Sequence, residues 1–323
     1  MLILFAIFLF ISISNVIYKK SLQIDKIITN NRDTKKHNIQ KNKKYNRKEI
    51  FVKDEKCHIS SDTPNLKISH FIITRFMIEF YNRNEYPKKL YKKDFISNAI
   101  RVMKNYLFPS LEFQSCRNFT WILMIGNKAN IDNIKNLFNF NYSFPIQILY
   151  EKDIKTYLKN NTKGFDILIT TRIDYDDRIY YDAVNDVRKE INIYKPMLLY
   201  GYNRGFKYYE SINKYVEFNH KNNIGSWSVF ISLITVLNKV NDIYTIYDMG
   251  GHLTIKLTLL KNYKSYGIQK LNYDPAIFDN GTPKFVWVQQ KYSGSYNATF
   301  LNKIINKKSF KTINFDLNKF YGK

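Results

Sequence analysis

The chain has 323 residues, 45% of them hydrophobic, enough to bury a sizeable core in one large domain or two small ones. Lysine and arginine total 51 against 27 aspartates and glutamates, a formal charge of +24. Such a charge reflects either an anionic partner or the drift of a chain rich in Lys, Asn, Ile and Tyr. No Arg/Gly tract, zinc-finger spacing or RNP-type aromatic motif accompanies it, which disfavours nucleic acid as that partner.

Met1 to Tyr18 carries no charge and ends at Lys19-Lys20. Its apolar length is about that of a membrane helix, which takes roughly 17–25 residues. A signal peptide cleaved after Ser12-Ile13-Ser14 is the other reading, but the apolar run continues through Val16 and Ile17, which favours an uncleaved anchor. Basic residues after the span would keep the body in the cytosol. The sequons at Asn118, Asn141, Asn160, Asn280 and Asn297 point weakly the other way, and we expect a single-pass secretory-pathway protein with a lumenal body. Residues 19–60 read as a basic flexible stem, and 61–323 as a single folded body. Cys57 and Cys116 lack metal-finger spacing; they form one disulfide in an oxidising compartment or remain two buried thiols.

Within the body, Lys67–Phe76 predicts a buried strand. Phe95, Ile96, Ala99, Ile100, Met103, Tyr106 and Leu107 have helical spacing, and Pro109 is expected to stop that helix. Strands at 119–126, 145–151 and 165–173 alternate with short helices at 130–139 and 153–161, and a helix is expected over 177–191. The strands are apolar throughout, as in a mostly parallel sheet covered on both faces, so the fold class is α/β. After Pro196 the pattern changes to a hairpin or meander over 197–219, a segment at 226–237 open to strand or helix, a Gly-Gly turn leading into a helix-like run, a late strand from Phe285 and a polar tail.

In this basic chain, Asp174, Asp176 and Asp177 crowd one turn after the 165–173 strand. The carboxyl edge of an open α/β sheet is where ligands bind. Carboxylates two apart in an extended turn repel each other unless a cation lies between them. Mg²⁺ and Mn²⁺ take hard oxygen ligands and complete their shells with water and substrate phosphate. The acids would then hold a cation and the cation a diphosphate, with Arg172 and Arg178 suited to phosphate oxygens. The competing reading makes Asp177 a cap for the next helix and the other two solvated turn residues.

An ordered set of stretches extends this reading. Ile73-Thr74-Arg75-Phe76 is followed by Pro109-Ser110-Leu111-Glu112-Phe113-Gln114, by Phe119-Thr120-Trp121, by Thr171-Arg172-Ile173-Asp174-Tyr175-Asp176-Asp177, and by Ile246-Tyr247-Asp248-Met249-Gly250-Gly251-His252. Together they resemble the putative rhamnosyltransferase family, which is related to GT-A-type glycosyltransferases, over roughly Lys67 to Asn297. The resemblance implies a GT-A-like single domain and a nucleotide-diphosphate-sugar donor. It also implies Mn²⁺ or Mg²⁺ on Asp174, Asp176 and Asp177, and a glycan, lipid or protein acceptor. Arg75, Arg172, Asp174 and Lys291 are the donor-binding candidates, with Arg83 a weaker one.

A general base on the acceptor hydroxyl is sought at Asp248 or Glu217, with Asp248 favoured. His252 is either a phosphate or metal contact or a core histidine. Trp121, Trp227 and Trp287 read mainly as core, with Trp227 also a candidate to stack on a sugar. Where the family follows its late Trp strand with a His-Gly-x-Asn ending, this chain has Lys291-Tyr292-Ser293-Gly294, so a late histidine ligand is missing and Lys291 stands in its place. A catalytically silent relative and a basic nucleic-acid-binding protein are the alternative functions.

Overall fold

The structure is a computed structural model. It describes residue 57 and residues 65–76, 93–138, 142–210, 213–219, 230–250, 254–279, 281–289, 312–313, 316 and 320–321. The chain divides into Met1–Phe51 and Val52–Lys323, and every described residue lies in the second unit. Among the described residues no helix is long and apolar enough to cross a membrane; the segment expected to do so lies outside them.

β1 (Ile68–Phe76), β2 (Thr120–Ile125), β3 (Ile146–Tyr150) and β4 (Ile167–Arg172) are the apolar runs of the first half, and they form a parallel block in the order β3-β2-β1-β4. β9 (Ile231–Val236) continues the sheet antiparallel to β4, and β6 (Met197–Tyr202) and β10 (Ala276–Asp279) complete seven strands. The segment left open between strand and helix is therefore β9, and β10 was not anticipated. Alternation sends Ile68, Ile72 and Phe76 into the larger core and Phe71 and Ile73 into the opposite one. With both faces covered, the polar residues at the strand ends are left to define the edge.

α1 (Lys93–Asn105) packs Ala99, Ile100 and Met103 into the larger core, and α2 (Leu107–Glu112) follows directly. Pro109 does not stop a helix. The chain breaks at Tyr106, and Pro109 sits in the first turn of α2, where its missing N–H leaves no intrahelical bond unmade. α3 (Ile131–Leu137), its first turn capped by the Asn130 side chain, and α4 (Ile154–Asn161) lie where the spacing placed them. The helix expected over 177–191 is shorter. β5 (Arg178–Ile179) comes first, drawn into a second sheet by pairing with β11 (Phe285–Gln289), and α5 covers only Ala183–Lys189.

The second sheet has the order β12-β8-β7-β11-β5. β7 (Arg204–Tyr209) and β8 (Lys214–Asn219) form the expected hairpin, and β12 (Thr312–Ile313) adds the tail to its edge. The polar tail also buries Phe320 and Tyr321 against Val102, Tyr106 and Val286. Gly205 lets β7 approach β11 closely, since a Cβ there would come within 2.6 Å of the Phe285 ring. Cys57 and Cys116 are joined in a disulfide, Cα to Cα 4.8 Å, which decides between the two readings of the cysteines.

Candidate active site

β1 is flanked by β2 on one side and by β4 on the other, so the chain reverses its direction of winding at β1/β4. Ligands bind beyond the carboxyl ends of strands at such a switch point. Two arginines stand there. Arg75 is the penultimate residue of β1 and Arg172 the last of β4, and with Ile73 beside Arg172 in the register both lie on the same face of the sheet. Immediately after β4 the chain turns, with the Asp177 N–H donating to the Asp174 carbonyl at 3.2 Å. The turn carries the Asp174 carboxylate to both guanidiniums. Asp174 Oδ1 lies 3.6 Å from Arg172 Nε and 4.0 Å from Arg75 Nη2.

The floor of this cluster is Tyr247. Its ring lies 5.1 Å from the Arg75 guanidinium carbon and 5.3 Å from that of Arg172, a cation–π arrangement with both. The ring is fixed twice. Tyr247 Oη donates to the Ile73 carbonyl at 3.0 Å, and the neighbouring Ile246 N–H donates to Thr170 Oγ1 at 2.9 Å, clamping the 3₁₀ turn Ile246–Met249 onto β4. Burial raises the Tyr247 phenol above its ordinary range, so it stays protonated as that donor. Tyr247 had been read only as part of a family stretch; an aromatic before an aspartate gives no local sign of lying beneath two arginines more than seventy positions upstream.

The three aspartates do not act alike. Asp174, 33% exposed, faces the arginines, and Asp176 is half-buried in the same turn. Asp177 is 1% exposed, and among the described residues no three His, Cys, Asp or Glu side chains converge on a common metal position. The three carboxylates expected to share a metal therefore do not converge, and Asp174 and Asp176 are the two that are partly exposed. Carboxylates of that kind are hard oxygen donors of the type Mg²⁺ and Mn²⁺ take, one or two at a time with water and phosphate completing the shell. Nor does Asp177 cap the next helix, because β5 intervenes and α5 begins only after Asp182.

Other candidates are placed elsewhere. Arg178 turns away from the cluster: it stacks 4.5 Å over the Tyr106 ring and donates to the Asn105 carbonyl and Tyr215 Oη. Glu217 is paired with Arg204 on the second sheet. Asp248 closes a capping box, its Oδ2 accepting from Thr245 N at 2.7 Å and Thr245 Oγ1 at 3.0 Å. Its carboxylate is thereby engaged at the start of the 3₁₀ turn, and among the described residues no ion pair joins it to Arg75 or Arg172. Trp121 is core, donating to Thr74 Oγ1 at 3.0 Å. Arg83, Trp227, His252, Lys291 and the side chain of Trp287 lie outside the described residues.

Among solved structures, residues 1–349 of TarS from S. aureus share 12% identity with this chain at a TM-score of 0.37, over 68% of this chain and 60% of that one. The inositol-1-phosphate CTP transferase from T. maritima shares 10% at a TM-score of 0.33, over 75% and 98%, and HddC from Yersinia pseudotuberculosis 13% at 0.33, over 68% and 92%. The chain therefore spans less than two thirds of the TarS fragment, and likeness at this level fixes neither activity nor ligand. No curated protein matches it. The sequence profile described as "Putative rhamnosyl transferase" matches residues 68–247, more than half of the chain and every member of the cluster from Arg75 to Tyr247. The chain belongs to that family.

Proposed function

We propose that this protein transfers a sugar, rhamnose on the family's description, from a nucleoside-diphosphate donor to an acceptor hydroxyl on a glycan, lipid or protein. The observation that carries the reading is the convergence of Arg75, Arg172 and Asp174 at the β1/β4 switch point. Planar guanidiniums suit diphosphate oxygens, and fixing them on strand ends and on the Tyr247 ring preorganises them for charge that grows on the leaving group. Asp174 and Asp176 would hold a divalent cation, which supplies Lewis-acid stabilisation of the leaving diphosphate. The arginines bind and orient that group. His252 and Lys291 remain candidates for the same edge on the sequence alone.

The test is thermal stabilisation of the full chain by a panel of nucleoside-diphosphate sugars, with Mn²⁺ or with EDTA, followed by turnover of whichever donor stabilises. One donor should raise the melting temperature in a metal-dependent way, and Asp174→Asn should cut turnover by about 100-fold, the scale of a lost transition-state electrostatic contact. A cooperatively melting wild type that responds to no donor would leave the silent-relative reading.

We also propose that residues 1–18 anchor the chain, that 19–60 form a stem, and that the body works in an oxidising compartment. The Cys57–Cys116 disulfide supports this, because such bonds persist outside the reducing cytosol. Alkylation of cell-derived protein before and after reduction checks it: both thiols should be blocked until reductant is added. The same bond requires any stem-free body to begin before Cys57.

A further inference from the structure

We propose that Asn118 and Asn160 carry N-linked glycans, and that these stand at the edge of the large sheet opposite the arginine cluster. The modification follows from the oxidising compartment assigned to the body and does not depend on the identity of the donor.

Asn118-Phe119-Thr120 and Asn160-Asn161-Thr162 are Asn-x-Thr acceptor sequences without proline at the middle position. In a chain this rich in asparagine the spacing alone decides nothing, and the fold adds three observations. First, both asparagines are exposed in the folded body, the condition for a bulky, polar glycan to remain on them. Their backbones are also fixed: the Asn118 carbonyl accepts from Arg188 Nη2 at 2.7 Å, and Asn160 lies in the last turn of α4. Second, Cys116, two residues before Asn118, is bonded to Cys57. Such a bond persists in the secretory compartments, where an exposed Asn-x-Thr meets the glycosylation machinery. Third, the two sites share one edge. α4 carries the chain from β3 back to β4, and both strands belong to the parallel block, so the helix ends at the amino edge of the sheet. Asn118 stands two residues before β2 begins, at that same edge. Arg75 and Arg172 lie at the carboxyl ends of β1 and β4. The six residues of β4, at roughly 3.3 Å each, set the edges about 20 Å apart. Glycans on Asn118 and Asn160 therefore cover the amino edge and leave the carboxyl edge open. The acceptor sequences at Asn141, Asn280 and Asn297 lie outside the described residues.

The co-substrate is a lipid-linked oligosaccharyl diphosphate supplied by that compartment. The asparagine Nδ2 forms a bond to the anomeric carbon of the oligosaccharide, the bond from that carbon to the diphosphate oxygen breaks, the lipid diphosphate departs, and the amide gives up one proton.

The experiment isolates the full chain from cells that glycosylate their secreted proteins, releases its glycans with an amidase in heavy-oxygen water, and maps the peptides by mass. Release converts each glycosylated asparagine to an aspartate bearing the heavy isotope, so both sites are read on the wild type and no variant has to fold. Asn118 and Asn160 should both be labelled, and Asn118→Gln and Asn160→Gln should each migrate faster by one glycan. Absence of label at either residue overturns its assignment. Thiol alkylation of the same sample says why: blocked thiols would mean that the sites go unused in the right compartment, and free thiols that the compartment itself is wrong. The donor reading fails separately, on inorganic pyrophosphate followed by calorimetry. Pyrophosphate affinity should be unchanged by glycan release and weakened in Arg75→Gln. A change on release would overturn the placement at the opposite edge, whereas labelled protein that binds no pyrophosphate would count against the donor reading alone.

Discussion

Cations do different work in the two sheets. At the carboxyl edge of β1 and β4, Arg75 and Arg172 share one carboxylate oxygen at ion-pair distance. At the seam between the sheets the charges are tightly engaged. Lys284 Nζ donates to Asp186 Oδ2 and to Asp279 Oδ2, each at 2.8 Å, while Tyr202 Oη donates to Asp186 at 3.0 Å and the Lys284 ammonium lies 5.4 Å from the Tyr202 ring. That network ties α5 and the ends of β6 and β10 to the start of β11. Near β5, Arg178 is likewise taken up by Tyr106, Tyr215 and a backbone carbonyl. A net charge of +24 therefore locates no ligand by itself. What separates the regions is place: the seam's charges join α5, β6, β10 and β11 to one another, and the edge's lie at the carboxyl ends of β1 and β4. Changes at the seam should move stability and spare ligand binding, and changes at the edge should do the opposite.

The disulfide sets the top of the stability scale. It closes a loop between residues 59 positions apart, so Cys57→Ser should cost about 4 kcal/mol on the chain-entropy estimate, read by urea unfolding. Next comes the seam. Lys284→Met leaves Asp186 and Asp279 partly desolvated without their shared cation and should cost about 3 kcal/mol, with pyrophosphate affinity unchanged. A loss of pyrophosphate binding equal to that of Arg75→Gln would break the comparison, because the two regions would then be one site.

A third prediction concerns pH and the inside of the large sheet. His70 Nε2 and Thr171 Oγ1 are hydrogen-bonded at 2.8 Å, and Thr171 Oγ1 is 2.6 Å from Ser232 Oγ, a polar thread across β1, β4 and β9. Burial first, and then the charge of Arg188, hold the imidazole well below its ordinary 6.5, while burial brings Arg188 itself down to about 10. His70 is thus neutral when folded and takes up a proton on unfolding. Stability should fall as the pH drops below about 6.5, by up to about 1.4 kcal/mol per pH unit until the folded pKa is reached. His70→Gln should flatten that limb of the unfolding-energy profile.

The same contrast explains what could be read from the chain. β1, β2 and β4 are buried almost throughout and β3 is half-buried, and each appeared as a mostly apolar run within a residue or two of its bounds. Arg75 and Asp174 could be seen because strand ends at a sheet edge are ligand positions whatever the sequence around them. The second sheet collects β5, β7, β8, β11 and β12 from distant parts of the chain, and its pairings depend on partners that no local period announces. Arg178-Ile179 was absorbed into a helical pattern for that reason, since its strand exists only through Phe285 and Val286. Asp248 is ambiguous in a related way: a carboxylate before a glycine pair reads equally as a base or as a cap, and the capping bonds appear only in the fold.

Asp248 gives the smallest expected effect and the sharpest test of that difference. Its carboxylate accepts from both the backbone and the hydroxyl of Thr245, so it fixes the start of the 3₁₀ turn that carries Tyr247 under the arginines. Asp248→Ala removes both bonds and should cost about 1 kcal/mol of stability, the ordinary worth of a cap. Because Tyr247 keeps its own bond to the Ile73 carbonyl and Ile246 its bond to Thr170, the ring should stay in place and turnover should fall less than about tenfold. A general base contributes about 100-fold or more, so a drop of that size, with a pH–rate profile that loses its acidic limb, would return Asp248 to the chemistry and place the acceptor on this side of the turn.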